Sequence, residues 1–444
     1  MRKNDHTEPV SHLEHVHDSL VLADSHGTAA EIALLRRRDN AALREASELD
    51  RLVSEGSPVA PLAGLTLTVK ACFDVAGWVT HAGSSVLAEE APADVDAAAV
   101  SALREAGAVL IAQTNMTEFA YGALGLNDTY GTPTTPLYPH GERVSGGSTS
   151  GGAVAVALGI ADVSLGSDTS GSVRIPAAFC GVAGFKPSRG RYPGAGMLYL
   201  STSFDVPGIV ATSAEMCRRV DAALTGRSAT NFPARSSVHG LRLLAPVGIT
   251  GNGVDPGIVS AFEEWIAVLA QAGAKVTRQP MPCIMQSGTA AREGGIISAE
   301  AYMQHRERLQ ASGHRYDQRV GPRISAGADV RAHSFAAGLR RLAALARQFD
   351  IDMADADADV VVTPTVPILP PRVADLQTNE AYLAANTQAF RLTEFANRLD
   401  LPSISVPGDL GRRRPFGLLI TGRRGRDADL LETAVQIERC LSRP

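Results

Sequence analysis

The sequence predicts an α/β layered domain, and two observations carry that prediction. Short apolar runs of strand length alternate along the chain with longer segments of helical periodicity. The 444 residues, 45% of them apolar, suffice for a substantial core, and no fixed-period repeat or low-complexity linker divides them. The expected organisation is an amino-terminal extension over residues 1–27 and a single domain over 28–444, with a helical excursion at about 285–350.

Taken in order, residues 28–54 carry Ile32, Leu34, Leu35, Leu43, Leu49 and Leu52 among charges and alanines, and read as one helix ending near Gly56-Ser57-Pro58. Leu65, Leu67 and Val69 alternate with threonine in a β-rich run that delivers Lys70 at its carboxyl end. Asp96 to Ala106 is a helix stopped by Gly107, and Ala108 to Ala112 a buried strand. The stretch Ala153 to Leu165 has room for a short helix and a strand, and the segment after it is glycine- and proline-rich to about Gly208. Further on, Leu241–Val247 and Lys275–Gln279 are strands flanking a helix at Ile258–Ala272. Glu300 to Asp350 is helical and charged. Asp359–Pro364, Leu401–Pro407 and Phe416–Ile420 are late strands before a terminal helix.

Composition narrows the function. A net charge of -5 and a pI near 6.1 argue against nucleic-acid binding, and Arg36–Arg38 and Arg412–Arg414 read as solvated faces. The polar start Met1–His6 is followed by no apolar stretch of signal-peptide type, and no run reaches the roughly 18 to 20 apolar residues of a membrane helix. Five scattered cysteines without a C-x-x-C arrangement oppose a disulfide framework or a thiolate zinc site, so a cytoplasmic protein is expected. His12, His15 and His17 form no H-E-x-x-H pattern and read as a solvated segment. Asp355, Asp357 and Asp359 lack the glycine and the closing glutamate of a calcium loop. No metal is implied.

Among 42 basic residues only Lys3, Lys70, Lys186 and Lys275 are lysine. Arginine cannot give up its proton in a protein, whereas a buried lysine can act as a base, so a lysine ending an apolar strand is notable. Two serines 24 residues apart complete the pattern: Ser148 in Gly146-Gly147-Ser148-Thr149-Ser150-Gly151-Gly152, and Ser172 in Gly166-Ser167-Asp168-Thr169-Ser170-Gly171-Ser172-Val173-Arg174-Ile175-Pro176. Each stands where backbone turns tightly beside a buried element, too closely followed by apolar residues for a flexible linker. Neither lies in the G-x-S-x-G elbow of α/β-hydrolases, and Gly181–Lys186 lacks the spacing of a phosphate-binding loop.

The segment Gly146–Pro176 resembles the signature of the amidase signature family. Pro61 to Lys70 is similar to that family's lysine strand, Thr114–Ala120 to its T-N-M-x-E-F-A element and Ser203–Gly208 to its S-F-D-x-x-G turn. Thr363-Pro364-Thr365 and Phe416–Gly422 correspond as well, so the resemblance covers about residues 28–440. It implies a large mixed, twisted β-sheet covered by helices on both faces. It also implies a serine amidase that hydrolyses a small carboxamide or urea-like C–N bond through an acyl-enzyme, without a cofactor.

Carried over onto this sequence, Ser172 is the nucleophile, Ser148 the bridging serine after a cis peptide, and Lys70 the base, held neutral by desolvation. The amides of Thr169, Ser170, Gly171 and Ser172 form the oxyanion hole. Asp168 and Arg174 are candidates for holding this loop, and Ala120 and Tyr121 for contacting substrate.

The sequence departs from the family pattern at Ala71, where many members have aspartate, and at Thr149-Ser150, which replaces the commoner S-G step. The latter step occurs in small-amide, urea-type and indoleacetamide hydrolases, and Gly190–Pro193 resembles mandelamide hydrolases. Substrate identity therefore stays open among aryl, aliphatic, indole and ureido amides. The expected partner is the small-molecule amide, with no nucleic acid and no membrane, and a homodimer is the oligomer to be tested. Two other functions stand beside this one: the catalytic subunit of a glutamine-dependent transamidating complex, and a non-catalytic amidase-like binding module.

Overall fold

The structure, a computed structural model, describes residues 11–138, 140, 142–226, 236–251, 253–408 and 414–442. The polar start Met1–His6 and the arginines Arg412 and Arg413 lie outside the described residues. The described strands are β1 (Leu34–Arg37), β2 (Thr66–Lys70), β3 (Val109–Thr114), β4 (Val163–Asp168), β5 (Ala183–Lys186), β6 (Val206–Ala211), β7 (Arg242–Leu244), β8 (Lys275–Thr277), β9 (Val360–Pro364), β10 (Ser403–Pro407) and β11 (Gly417–Thr421). They form one mixed sheet in the order β1-β3-β2-β4-β6-β5-β10-β11-β9-β7-β8. The β3-β2-β4 and β9-β7-β8 runs are parallel, and the strands between β4 and β9 pair antiparallel.

Helices cover both faces of this sheet. Along β3, Val109 and Ile111 join one apolar cluster while Leu110 joins the other, the period-two signature of a strand buried on both sides. The first cluster takes in the helix Ser150–Ala157, and the second the helices Pro256–Gln271 and Asp427–Leu441. No helix among the described residues is long and apolar enough to cross a membrane.

Residues 28–54 differ from the expected single helix. Thr28–Ala33 and Asp39–Ser54 are helical, and β1 lies between them, pairing antiparallel with β3 from Leu34↔Thr114 onward. Leucine and alanine spacing suits a helix there, but β3 would otherwise leave an open edge of unpaired amides, and residues 34–37 cover it. The histidine segment also differs. His12–Ser25 is a helix capped by the Ser11 hydroxyl, with Val16, Leu20 and Ala23 buried, and His15 Nε2 lies 2.8 Å from Asp162 Oδ2. An apolar stripe docks it, so only part of this segment is solvated.

The glycine- and proline-rich stretch hides β6, a central strand between β4 and β5, followed by the helix Ala214–Thr225. Pro207 is tolerated there because β5 pairs with β6 only from Ile209 to Ala211. In the middle of the chain, helices Pro282–Glu293, Ile296–Ser312 and Ala332–Asp355 bury Ile284, Ile296, Leu342 and Phe349 against Phe395 and Leu399. Ile296 of this layer and Arg323 of the short helix Gly321–Ser325 line the cavity described next.

Candidate active site

Parallel pairing of β2 with β4, through Val69↔Leu165, sets the end of β2 beside Gly166 and Ser167. Lys70 is fully buried there. Its Nζ lies 2.7 Å from Ser148 Oγ and donates to Ser167 Oγ at 2.8 Å and to the Ser167 carbonyl at 3.3 Å. Burial lowers the Lys70 pKa below that of an ordinary lysine, against the opposing pull of Cys72, Asp205 and Asp168. Asp205, buried with its amide donors Leu200 and Ser201, is itself pushed up to about 6 by burial.

Ser148 follows a cis Gly147–Ser148 peptide and sits just before the helix Ser150–Ala157. That helix starts against the β3–Asn115 backbone. A Cβ on Gly151 would lie 2.3 Å from the Ala33 carbonyl and 2.7 Å from the Asn115 amide, so only glycine lets the helix approach. The Thr149 amide donates to the Ser172 carbonyl at 3.1 Å, which ties the two serine loops together.

Ser172 precedes the helix Arg174–Cys180. Its hydroxyl is buried and has no protein hydrogen-bond partner among the described residues. Asp168 organises the loop around it, accepting from the amides of Gly171 (2.8 Å) and Val173 (3.0 Å), from Arg174 Nε (3.1 Å) and Nη2 (2.9 Å), and from Asn397 Nδ2 (2.9 Å). Burial works against the charged form of Asp168, and the adjoining Arg174 guanidinium overcomes it, holding the carboxyl well below its usual range.

The peptide planes of this loop are fixed from behind. Arg398 Nη1 donates to the Thr169 carbonyl (3.0 Å), Thr393 Oγ1 to the Ser170 carbonyl (2.7 Å), and the Ile175 amide to the Gly171 carbonyl (2.7 Å). In a trans peptide the following N–H points the opposite way. Among the described residues, the amides of Thr169, Ser170 and Ser172 donate to no protein acceptor. Gly171 differs from the sequence expectation: its N–H is already spent on Asp168, because the loop closes on that carboxylate. Gly171 has φ of +138°, and a Cβ there would lie 2.2 Å from Thr393 Oγ1, so the residue is needed for shape.

Thr169, Ser170 and Ser172 line a cavity of about 250 Å³, together with Ala120 and Tyr121. Phe119 and Ala120 both have positive φ, +48° and +59°, a turn that costs non-glycine residues about 1–2 kcal/mol each and presents Ala120 and Tyr121 to the cavity. Sequence reasoning missed Ser167, Thr393, Asn397 and Arg398. Ser167 alternates with Asp168 along β4, and its place became visible only once β4 was paired with β2. The last three belong to a late segment, Thr393–Arg398, that carries no motif. Among the described residues, no cluster of three or more His, Cys, Asp or Glu side chains is disposed to hold a metal ion.

Comparison with known proteins places the chain in a family. Residues 23–431 match the family model described as Amidase. The chain is 36% identical over 402 residues to 2-amino-5-chloromuconic acid deaminase of Comamonas testosteroni, covering 88% of this chain and 85% of the relative. It is 30% identical over 437 residues to a subunit of glutamyl-tRNA(Gln) amidotransferase from Koribacter versatilis, covering 90% and 89%. A solved structure described as an amidase superposes with a TM-score of 0.85 at 29% identity, covering 97% of this chain and 96% of the other.

Proposed function

Because the chain belongs to the amidase family and is therefore a hydrolase of amide C–N bonds, we propose that it acts through an acyl-enzyme on Ser172, with Ser148 as proton relay and Lys70 as base. The observation that carries this reading is the set of partners around Lys70. A neutral amine has two N–H donors and one lone pair. The two donors fit the Ser167 hydroxyl and carbonyl, and the lone pair accepts the Ser148 hydroxyl proton. Full burial favours that neutral form.

In the first step Ser172 Oγ forms a bond to the substrate carbonyl carbon. Its proton passes to Ser148 Oγ as Ser148 gives its own to Lys70 Nζ. The amides of Thr169, Ser170 and Ser172 take the oxyanion, each donor contributing about 2.7–4 kcal/mol. Collapse breaks the C–N bond, and the leaving nitrogen takes the proton back from Lys70 through Ser148. Water, deprotonated by the same relay, then cleaves the Ser172 ester.

The small cavity supports a small carboxamide or urea-like substrate, since ligand pockets commonly span about 300–1,000 Å³. The cysteines are thiols, with no disulfide among the described residues, which supports a cytoplasmic enzyme. The experiment is fluorophosphonate labelling of the purified chain with peptide mapping, alongside ammonia release from a panel of amides. The label is expected on Ser172, and Ser172→Ala is expected to abolish turnover; a label elsewhere, or turnover by that variant, removes the assignment.

A second reading has specific support in the glutamyl-tRNA(Gln) amidotransferase relatives. If this chain belongs to a transamidating complex, the protein alone should be nearly inactive. Light scattering with activity assays on the isolated chain separates the two readings and also tests the homodimer.

A further inference from the structure

The cavity that Ser172 opens onto has an unbalanced wall. Three guanidiniums, Arg292, Arg323 and Arg398, line it against a single carboxylate, Glu394. Glu394 is already shared: Arg292 Nη1 lies 2.9 Å from Oε1 and Arg398 Nη2 lies 3.5 Å from Oε2. Arg398 is further occupied with the Thr169 carbonyl and the Ser170 hydroxyl, so its role is to hold the loop.

Arg323 is different. It is half-buried on the short helix Gly321–Ser325, and no carboxylate lies within ion-pair distance of it among the described residues. Its partners are neutral. Nη1 donates to the Tyr121 carbonyl at 2.8 Å, and the guanidinium stacks over the Tyr121 ring at 3.9 Å from its centroid. These contacts orient the planar fork without neutralising it. A partly desolvated cation lacking a counter-ion is unfavourable, and an anion that pairs with it gains a charge-assisted, two-point contact.

We propose that Arg323 anchors a carboxylate on the substrate, so that the preferred substrates are amides carrying a second, ionised acid group: monoamides of small dicarboxylic acids. This rests on the serine-amidase reading above for the position of the scissile bond. Ser172, Ala120, Tyr121 and Arg323 line the same cavity of about 250 Å³, small enough that one ligand reaches both Ser172 and Arg323. Arg292, more exposed and paired with Glu394, also lines the cavity and adds to the attraction for an anion.

The test pairs acids with neutral amides of matching length: succinamate with butyramide, glutaramate with valeramide and adipamate with hexanamide. Ammonia release should favour at least one acid over its neutral counterpart by more than tenfold in kcat/KM. Arg323→Gln should reduce that ratio at least tenfold, chiefly through KM, and Arg323→Lys should hold an intermediate value. Measurable but equal turnover within every pair, or a ratio untouched in Arg323→Gln, overturns the anchor. Calorimetry of the same ligands with Ser172→Ala protein reads the anchor without chemistry. Acid-selective binding that Arg323→Gln abolishes in that background supports it, and equal or absent binding of every pair overturns it. Selective binding by a wild-type protein that hydrolyses none of the six amides and leaves Ser172 unlabelled would instead sink the acyl-enzyme reading and leave the anchor standing.

Discussion

Lys70 Nζ and Ser148 Oγ lie 2.7 Å apart, although 78 positions separate them in the chain. The contact joins the end of a central strand to a loop that precedes a helix, two elements that the sheet holds rigidly. Under the proposed mechanism only the neutral lysine is active. kcat/KM should therefore rise with pH through the Lys70 pKa, which burial puts below 10.5, and level off above it. Lys70→Arg keeps a charge that cannot be given up, and Lys70→Met removes the base, so each should lose about 10²–10⁴-fold in kcat. A pH–rate profile of the wild type and the two variants checks this. An unchanged acid limb in Lys70→Arg would sink it.

Ser167 should matter although it touches no substrate. Its hydroxyl takes one of the two N–H donors that fix the direction of the Lys70 lone pair. Ser167→Ala leaves that donor without its partner and the amine free to turn. The expected result is a kcat lower by about tenfold with KM little changed, since misplaced catalytic groups cost rate more than affinity. A variant whose loss lies wholly in KM would contradict a positioning role.

Arg174 stands behind the nucleophile loop, fully buried with Asp168 and donating also to the Thr393 carbonyl at 2.9 Å and Asn397 Oδ1 at 2.7 Å. Arg174→Met would leave the Asp168 carboxylate buried without its counter-ion, which costs about 3–5 kcal/mol in comparable pairs. Urea unfolding should show a loss of that order, with slower fluorophosphonate labelling of Ser172 as the loop loosens. A loss of less than about 1 kcal/mol would mean that the pair is not what holds the loop.

The three groups proposed to react stand in motifs whose constraints are local. Gly151 must let a helix approach backbone, and Lys70 ends a strand buried along its whole length, in which threonine alternates with apolar residues. The sheet was legible wherever apolar runs were long. It failed at β1, where covering a sheet edge outweighs helix-like spacing, and at β6, where glycine and proline disguise a central strand. The cavity wall was least legible. Arg323, Thr393 and Arg398 come from segments distant in sequence, and nothing local in those segments distinguishes a guanidinium that faces a cavity from one that faces solvent. Gly171 shows a finer limit: a motif gives the residue, but only the backbone shows its amide turned toward Asp168.

Glu118, in the segment leading to the positive-φ turn at the cavity, gives the protein a pH-dependent stability of definite sign. Burial raises its pKa to about 7, against the donors Ser84 Oγ at 2.7 Å and the Asp317 amide at 2.8 Å. The folded chain therefore keeps a proton that the unfolded chain, with a value near 4.5, has already lost. The contribution is fully present below about pH 4.5 and is lost as pH rises to about 7, a change of about 3 kcal/mol. Glutamine mimics the protonated acid, its Nε2 able to donate to Ser84 and its Oε1 to accept from Asp317. Glu118→Gln should thus lose less stability than the wild type between pH 5 and pH 8. Asp205 and Glu438, raised to about 6 and about 7 by burial, titrate in the same sense, so the slope should shrink without vanishing. Urea unfolding at both pH values measures it, and equal slopes in the two proteins would show that Glu118 is already ionised in the fold.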